Sequence, residues 1–429
     1  MENVYNIRLK KYLYFVLPDS VRNNADTVIN KGEMAVIIHL HYEDTVDKYF
    51  NYICNIPMNV DVYISVSEEK TKLRIEENME RYHLQNCRIV EKKNRGRDIS
   101  ALLVACREIA MRYEYICFLH DKKEKKEYLR EYTEEWISLM WENTIASEEF
   151  IYNIKDVFEK HKDIGILAVP EPFGMRENCA FDNAWYSNFD KTVDLAHRLK
   201  LNSNIDPALS PITVGTAFWA RAKALGKLLS YHWCYEDFAE EPLPDDGTIN
   251  HAVERILAYV AQDAGYYTGA VRTIKCAEKH ICDMQHLLKM SFERMDELGI
   301  GNIDDVVNYE RRKEKCRSFF EKYEEVYLYG AGKRGERILR FLRLMGLQPK
   351  AFLVTSLTSD FSELNGVPIK ELGEISLTEK VGIIITVNIV NKDEIIESLE
   401  EKNFHNYMWL LGEENENISM CQFRENTNR

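Results

Sequence analysis

The residues best suited to chemistry fall into a few short segments. In Asn94-Arg95-Gly96-Arg97-Asp98 a glycine permits a sharp turn before a helix. The helix start and the two arginines offer donors that match a diphosphate, and Asp98 either caps the helix or holds a ribose or sugar hydroxyl. In the plainer alternative, Asp98 is only the cap and the arginines are solvated. His120-Asp121-Lys122-Lys123 ends a strongly apolar run. A carboxylate there can hold a divalent ion that neutralises a diphosphate, a lysine can do so without metal, or the stretch is a solvated helix face. His39 and His41 share one face of an extended chain, as metal ligands, as partners of a nucleotide, or as packing.

Two later segments, Gly215-Thr-Ala-Phe-Trp219 and Asp246-Gly-Thr-Ile-Asn-His251-Ala-Val-Glu254-Arg255, form a further candidate site. Ala252, Val253, Ile256, Leu257 and Val260 make a buried helical stripe, so His251, Glu254 and Arg255 are neighbours on its polar side. Asp246 precedes that helix, as a cap or as a reacting carboxylate. Trp219 and Arg255 are assigned to the side of the site that receives the acceptor. Near the C-terminus, Gly330-Ala-Gly332-Lys-Arg-Gly335 follows a strand and opens a helix, the context of a dinucleotide-binding turn. The next strand ends Phe352-Leu-Val-Thr355-Ser356, without the acid that grips an adenosine ribose.

Charge narrows the ligand. The 429 residues contain 56 Lys+Arg against 70 Asp+Glu, a formal charge of −14, which opposes the long-range field that nucleic acid requires but not a local pocket for a small anion. No run is long and apolar enough to span a membrane, and the N-terminus lacks the apolar core of a signal peptide, so the expectation is a cytoplasmic chain. Lys122 to Lys126 is the local candidate for peripheral contact at the inner face of a membrane. The ten cysteines include no C-x-x-C pair and are expected to be reduced core residues.

The elements that must position these segments alternate from residue 34 onward. Strands are expected at Met34–Leu40, Val60–Val66, Arg88–Glu91 and Tyr115–Leu119 with helices between, an α/β half-domain of nucleotide-binding type. A strand over Ile164–Val169, a long aromatic loop over 170–190, a strand over Ile212–Ala220 and a helix over about 250–263 follow. Residues 277–324 read as a charged helical connector. From 325 a second α/β unit begins, with strands at Val326–Tyr329, Lys350–Val354 and Val381–Val387. The expected domains are therefore 1–276, 277–324 and 325–429.

Taken together, His39-Leu-His41-Tyr42, Asn94 to Asp98, Phe118-Leu-His120-Asp121-Lys-Lys123, Gly215 to Trp219 and His251 to Arg255 resemble the rhamnan synthesis protein F family of bacterial polysaccharide glycosyltransferases. The resemblance covers about residues 34 to 270. It implies a GT-A-like fold, a nucleotide-diphosphate sugar donor such as dTDP-rhamnose, and a glycan or lipid-linked glycan acceptor at the cell surface. Donor contacts are expected from His41, Asn94, Arg95, Gly96, Arg97, Asp98, His120, Asp121 and Lys122. More distant likeness to family 2 glycosyltransferases aligns His120-Asp121-Lys122 with an Asp-x-Asp motif. That implies a divalent cation (Mg or Mn) at Asp121, with Lys122 replacing the missing second acid. It also implies an inverting reaction in which Asp246, or next Glu254, serves as base. The C-terminal unit, with Gly330, Gly332 and Gly335, resembles the Rossmann-like domains appended to sugar-modifying enzymes. Two competing functions remain: a nucleotide-dependent oxidoreductase or epimerase centred on the glycine turn, and a non-catalytic component of a polysaccharide assembly complex.

Overall fold

The computed structural model describes residues 14–123, 127, 130–169, 185–208, 213, 215–244, 246–297, 309–357, 362–387 and 389–410. The chain forms two compact units, Met1–Asp283 and Met284–Arg429.

The first unit is built on one eight-stranded sheet. Its strands are β1 (Tyr14–Leu17), β2 (Met34–His39), β3 (Asp61–Val66), β4 (Cys87–Glu91), β5 (Tyr115–His120), β6 (Ile164–Ala168), β7 (Phe218–Arg221) and β8 (Tyr267–Thr273), in the order β1-β8-β6-β7-β5-β2-β3-β4. Every neighbour pair is parallel except those made by β7, which runs antiparallel to both β5 and β6. Its helices include α1 (Val46–Ile53), α2 (Glu69–Arg81), α3 (Arg97–Ser100), α4 (Arg130–Glu142), α5 (Glu148–Lys160), α6 (Phe189–Arg198), α7 (Ile249–Asp263) and α8 (Ile274–Glu297), with short turns of helix at Arg107–Ala110 and Gly226–Ser230.

The four strands expected from the alternation are present, and their order β4-β3-β2-β5 is that of a nucleotide-binding half-domain. Central β2, Met-Ala-Val-Ile-Ile-His, is buried at every residue because helices cover both faces. Its alternate side chains feed two cores: Val36 and Ile38 join Cys117 and Leu119 on one face, while Ile37 joins Ile116 and Phe118 on the other. Helix α5 starts where Ser147 accepts the Phe150 N–H at 3.0 Å, with Glu148 and Glu149 in the positive first turn.

The structure departs from the sequence reading in several places. Edge strand β1 and its partner β8 had no strong signal, being short or interrupted by Gly269. The strand expected over 212–220 is confined to Phe218–Arg221, and Ile212 lies outside the described residues. Most of the aromatic loop, residues 170–184, also lies outside them; Trp185 beyond it is buried and stacks on Tyr259. The boundary between units falls inside α8, so residues 277–283 of the expected connector belong to the first unit. Among the described cysteines all eight are free, with Cys54 and Cys282 exposed rather than in a core. Cys179 and Cys421 lie outside the described residues.

The second unit contains α9 (Tyr309–Lys322), β9 (Glu325–Tyr329), α10 (Lys333–Leu344), β10 (Phe352–Val354), β11 (Glu363–Leu364), β12 (Val367–Glu371), β13 (Val381–Ile385), α11 (Ile389–Glu400) and β14 (Tyr407–Trp409). Its sheet has the order β11-β12-β10-β9-β13-β14 and is parallel apart from the β11–β12 pair. The turn after β9 depends on glycine for packing. Gly330 has φ +117°, and a Cβ on Gly335 would sit 2.0 Å from the Gly330 carbonyl oxygen, whereas one on Gly332 would meet nothing within 4 Å.

Candidate functional site at the carboxyl edge of the first sheet

The strand order reverses direction at β2: β3 and β4 lie on one side of it and β5 on the other. Crevices at the carboxyl ends of such strands are the usual ligand sites of open α/β sheets. Asp121 directly follows β5 at this edge. Its Oδ2 accepts the backbone N–H groups of His41 and Tyr42, each at 2.8 Å, and its own N–H donates to the His39 carbonyl at 2.9 Å. Burial pushes this carboxyl up and the two N–H donors oppose the rise. The carboxylate thereby ties the end of β5 to the loop after β2.

His39 is buried, bonded through Nδ1 to the Ser65 hydroxyl at 2.9 Å, and burial holds its pKa well below 6.5, so it is neutral at pH 7. His41 contacts the Ser67 hydroxyl at 3.3 Å, and the two imidazole centroids are 6.4 Å apart. Among the described residues, no group of three or more His, Cys, Asp or Glu could hold a metal ion. In the sequence Asp121 is flanked by His120 and Lys122, so the motif itself carries one acid. The Lys122 ammonium lies 3.3 Å from the centre of the Trp136 ring, and Lys123 pairs with Asp44.

The Asn94–Asp98 loop is clamped from two sides. Gly96 has φ +75°, and a Cβ there would lie 2.6 Å from Phe238 Cγ, so no other residue fits the turn. Its carbonyl accepts the Asn250 side-chain amide at 2.7 Å. Arg95 Nε donates to the Phe238 carbonyl at 2.7 Å and Arg97 to the Leu243 carbonyl at 3.3 Å, with Glu240 and Glu241 at 3.5 and 3.6 Å from the two guanidinium groups. Asn94 bonds Glu68. Both arginines hold the segment 238–243, Arg95 half-buried and Arg97 still exposed to solvent. Gly96, not Asp98, is the cap residue of α3, and the Asp98 carboxylate instead stands 4.0 Å from His120 Nε2.

His120 joins the remaining segments. Its Nδ1 lies 2.8 Å from the Asp121 carbonyl and its Nε2 3.0 Å from the Gly215 carbonyl. The Gly215 N–H in turn donates to Glu254 Oε1 at 2.6 Å, and Glu254 Oε2 is 3.4 Å from Arg255. Gly215 has φ +100°. One residue, Gly215, therefore couples the end of β5 to α7 through its N–H and its carbonyl. His251, at the third position of α7, completes a capping box with Thr248, its Nδ1 2.8 Å from the Thr248 hydroxyl. Burial lowers its pKa below 6.5.

Two expected residues stand apart. Trp219 is fully buried within β7, its indole N–H donating to the Thr144 carbonyl at 2.9 Å, so it is a core residue with no face toward an acceptor. Asp246 accepts three hydrogen bonds, from the Ser187 N–H at 3.0 Å, the Ser187 hydroxyl at 2.5 Å and Asn188 at 2.5 Å. Partial burial would raise its pKa, but these donors prevail and hold it at about 2. A carboxylate so satisfied braces the start of α7 and is a poor proton acceptor. Arg255 is buried, with Nη1 3.3 Å from the His251 carbonyl, a support rather than a surface contact.

Asn250 and Lys92 belong to no motif in the sequence, yet both stand at this edge. Asn250 sits one residue before His251 in a segment whose apolar stripe drew attention to other positions. Lys92 follows directly after β4 at the same sheet edge; that position was the only signal it gave.

A family model described as Rhamnan synthesis protein F matches residues 1–266. Uncharacterized protein WxcX of Xanthomonas campestris pv. campestris, from two strains, is 26% identical over 244 residues, which is 56% of this chain and 33% of the relative. The chain thus matches about a third of the length of these curated relatives. A solved structure of mannosyltransferase PcManGT from Pyrobaculum calidifontis, in complex with GDP-Man and Mn2+, aligns at TM-score 0.34 and 13% identity over 63% of each chain. The α/β class rests on the strand order itself.

Proposed function

Because the chain belongs to the Rhamnan synthesis protein F family, we propose that its first unit is a GT-A-like glycosyltransferase that moves a sugar from a nucleotide-diphosphate donor onto a growing cell-surface polysaccharide. The observation that carries this reading is convergence: segments distant in sequence, from His41, Asp98, His120, Gly215 and Glu254, meet at the carboxyl edge around β2 and β5. The donor is read as a dTDP-rhamnose-like nucleotide sugar and the acceptor as a glycan or lipid-linked glycan.

In this reading the reaction inverts the anomeric carbon. An acceptor hydroxyl attacks that carbon, the bond to the diphosphate oxygen breaks, and a base takes the hydroxyl proton. Of Asp246, Glu254 and His251, His251 suits the task best, because burial keeps its imidazole neutral near pH 7 while the donors around Asp246 hold that carboxylate at about 2. Glu254, three residues on, raises the imidazolium's stability as the proton arrives. A divalent ion at Asp121 would neutralise leaving-group charge, and the residues fit it poorly, since one Asp121 oxygen already serves two backbone donors. Lys122 and Arg97 are the protein's own cations for that role. Among the described residues no helix is long and apolar enough to cross a membrane; contact with a lipid-linked acceptor is assigned to the surface around Lys122 and Lys123 at the cytoplasmic face.

The test is turnover against a panel of dTDP-, UDP- and GDP-sugars, with and without EDTA. Transfer or donor hydrolysis with at least one donor, lost in His251→Ala, supports the proposal. Absence of turnover and binding for all donors favours the second reading, a non-catalytic assembly component. The single acid at Asp121 and the fully satisfied Asp246 are the observations that keep it in view.

A further inference from the structure

Lys92 is a charged side chain that the fold buries and leaves without an acceptor. Its residue is 8% exposed, and its Nζ has no hydrogen-bond partner among the described residues. The lysine N–H donates to the Val66 carbonyl at 2.9 Å, extending the β3–β4 ladder one residue beyond β4. Strand alternation places it on the face of Val90, which packs with the core containing Cys106 and Phe238. Burial lowers its pKa to about 8, while Asp98 and Glu241 favour the charged form. An unpaired buried amine is costly and calls for an explanation.

Its surroundings point to an anion. Lys92, Arg95 and Arg97 lie within six residues at the sheet edge, and both arginines already spend donors on the carbonyls of Phe238 and Leu243. Lys92 keeps its donors unspent, on a flexible four-carbon stem able to follow a ligand. Resting on the glycosyltransferase reading, we infer that Lys92 is a further donor contact, whose ammonium receives its missing acceptor from a phosphate oxygen of the nucleotide sugar. Before a ligand arrives, Asp98 and then Glu241 supply the negative charge that favours the ammonium.

Calorimetric titration of the full chain with UDP, GDP and dTDP, and with the matching nucleosides, tests this. In Lys92→Met the ligand-free protein is expected to melt at or above the wild-type temperature, since a buried unpaired amine is gone. The dissociation constant for the nucleoside diphosphate should rise about 10- to 100-fold, the range of one lost charge-assisted hydrogen bond, with nucleoside binding unchanged. An unchanged diphosphate affinity overturns the inference, as does an equal loss for nucleoside and diphosphate. Should Lys92→Met fail to fold, Lys92→Gln is read by the same criteria. If the wild type binds none of the three nucleotides, the donor reading itself fails, an outcome separate from a wild type that binds and a variant that binds equally well.

Discussion

The side-chain amide of Asn250 and the carbonyl of Gly96 are joined by a 2.7 Å hydrogen bond that fastens the first turn of α7 to the loop after β4. The carbonyl belongs to a residue in a left-handed conformation, and the amide is buried. The loop that carries Arg95, Arg97 and Asp98 therefore takes its position from a helix more than 150 residues later in the chain.

Asn250→Ala should lower stability by about 1 to 3 kcal/mol, the cost of a buried carbonyl left unpaired. Chemical denaturation measures it. Nucleotide binding should weaken in the same variant, because the loop is no longer held; unchanged stability would mean that water or a neighbour replaces the amide.

For His251 the expectation concerns rate. His251→Ala should reduce turnover by a factor of about 100 to 10,000. Burial depresses the imidazole's pKa, and a base must be unprotonated to act. Wild-type rate is thus level at neutral pH and falls on acidification, with a midpoint below 6.5. A pH–rate profile whose acid limb lies above 6.5 would remove His251 as the base.

Asp246 should behave as a brace. Asp246→Ala is expected to cost roughly 1 to 3 kcal/mol in stability, with a smaller effect on turnover than His251→Ala. The sign of its pH dependence follows from a folded pKa of about 2 against an ordinary 3.8. Its contribution is full above 3.8 and is lost as pH falls toward 2. Denaturation midpoints of wild type and Asp246→Asn should therefore converge on acidification.

In the second unit, Gly335→Ala places a methyl group against the backbone carbonyl of Gly330, where no flexible side chain can yield. A loss of about 3 kcal/mol or more is expected. Hydrogen exchange should find the lost protection in β9 and α10, while Gly332→Ala, in open space, leaves it unchanged.

Much of this was legible from local pattern. The runs at 34–40 and 115–119 signal buried strands because strands covered on both faces are apolar throughout, whereas 60–66 reads as a strand with Asp61 and Tyr63 half-buried on one face. His120 and Asp121 stood out because they end such a run. What local pattern does not contain is partner choice. Asp246 and His251 look equally suited to accept a proton, and only the donors from Ser187 and Asn188, nearly sixty residues away, separate a satisfied carboxylate from an imidazole held neutral. Trp219 has the look of a sugar-stacking residue, and β7 pairing on both sides puts it in the core. Lys92 lies in a run of charge where nothing local distinguishes it from Lys93, yet one is buried and the other exposed.

The reversed direction of β7 has a consequence for how the site is held. A strand antiparallel to β5 and β6 begins, rather than ends, at their carboxyl edge, so the chain leaves β6 and enters β7 on the same side of the sheet. The described residues between the two strands are anchored on α7 and the segment before it: Asn188 bonds Asp246, Trp185 stacks on Tyr259, and the Gly215 N–H donates to Glu254, so a single helix fixes both this connection and the end of β5.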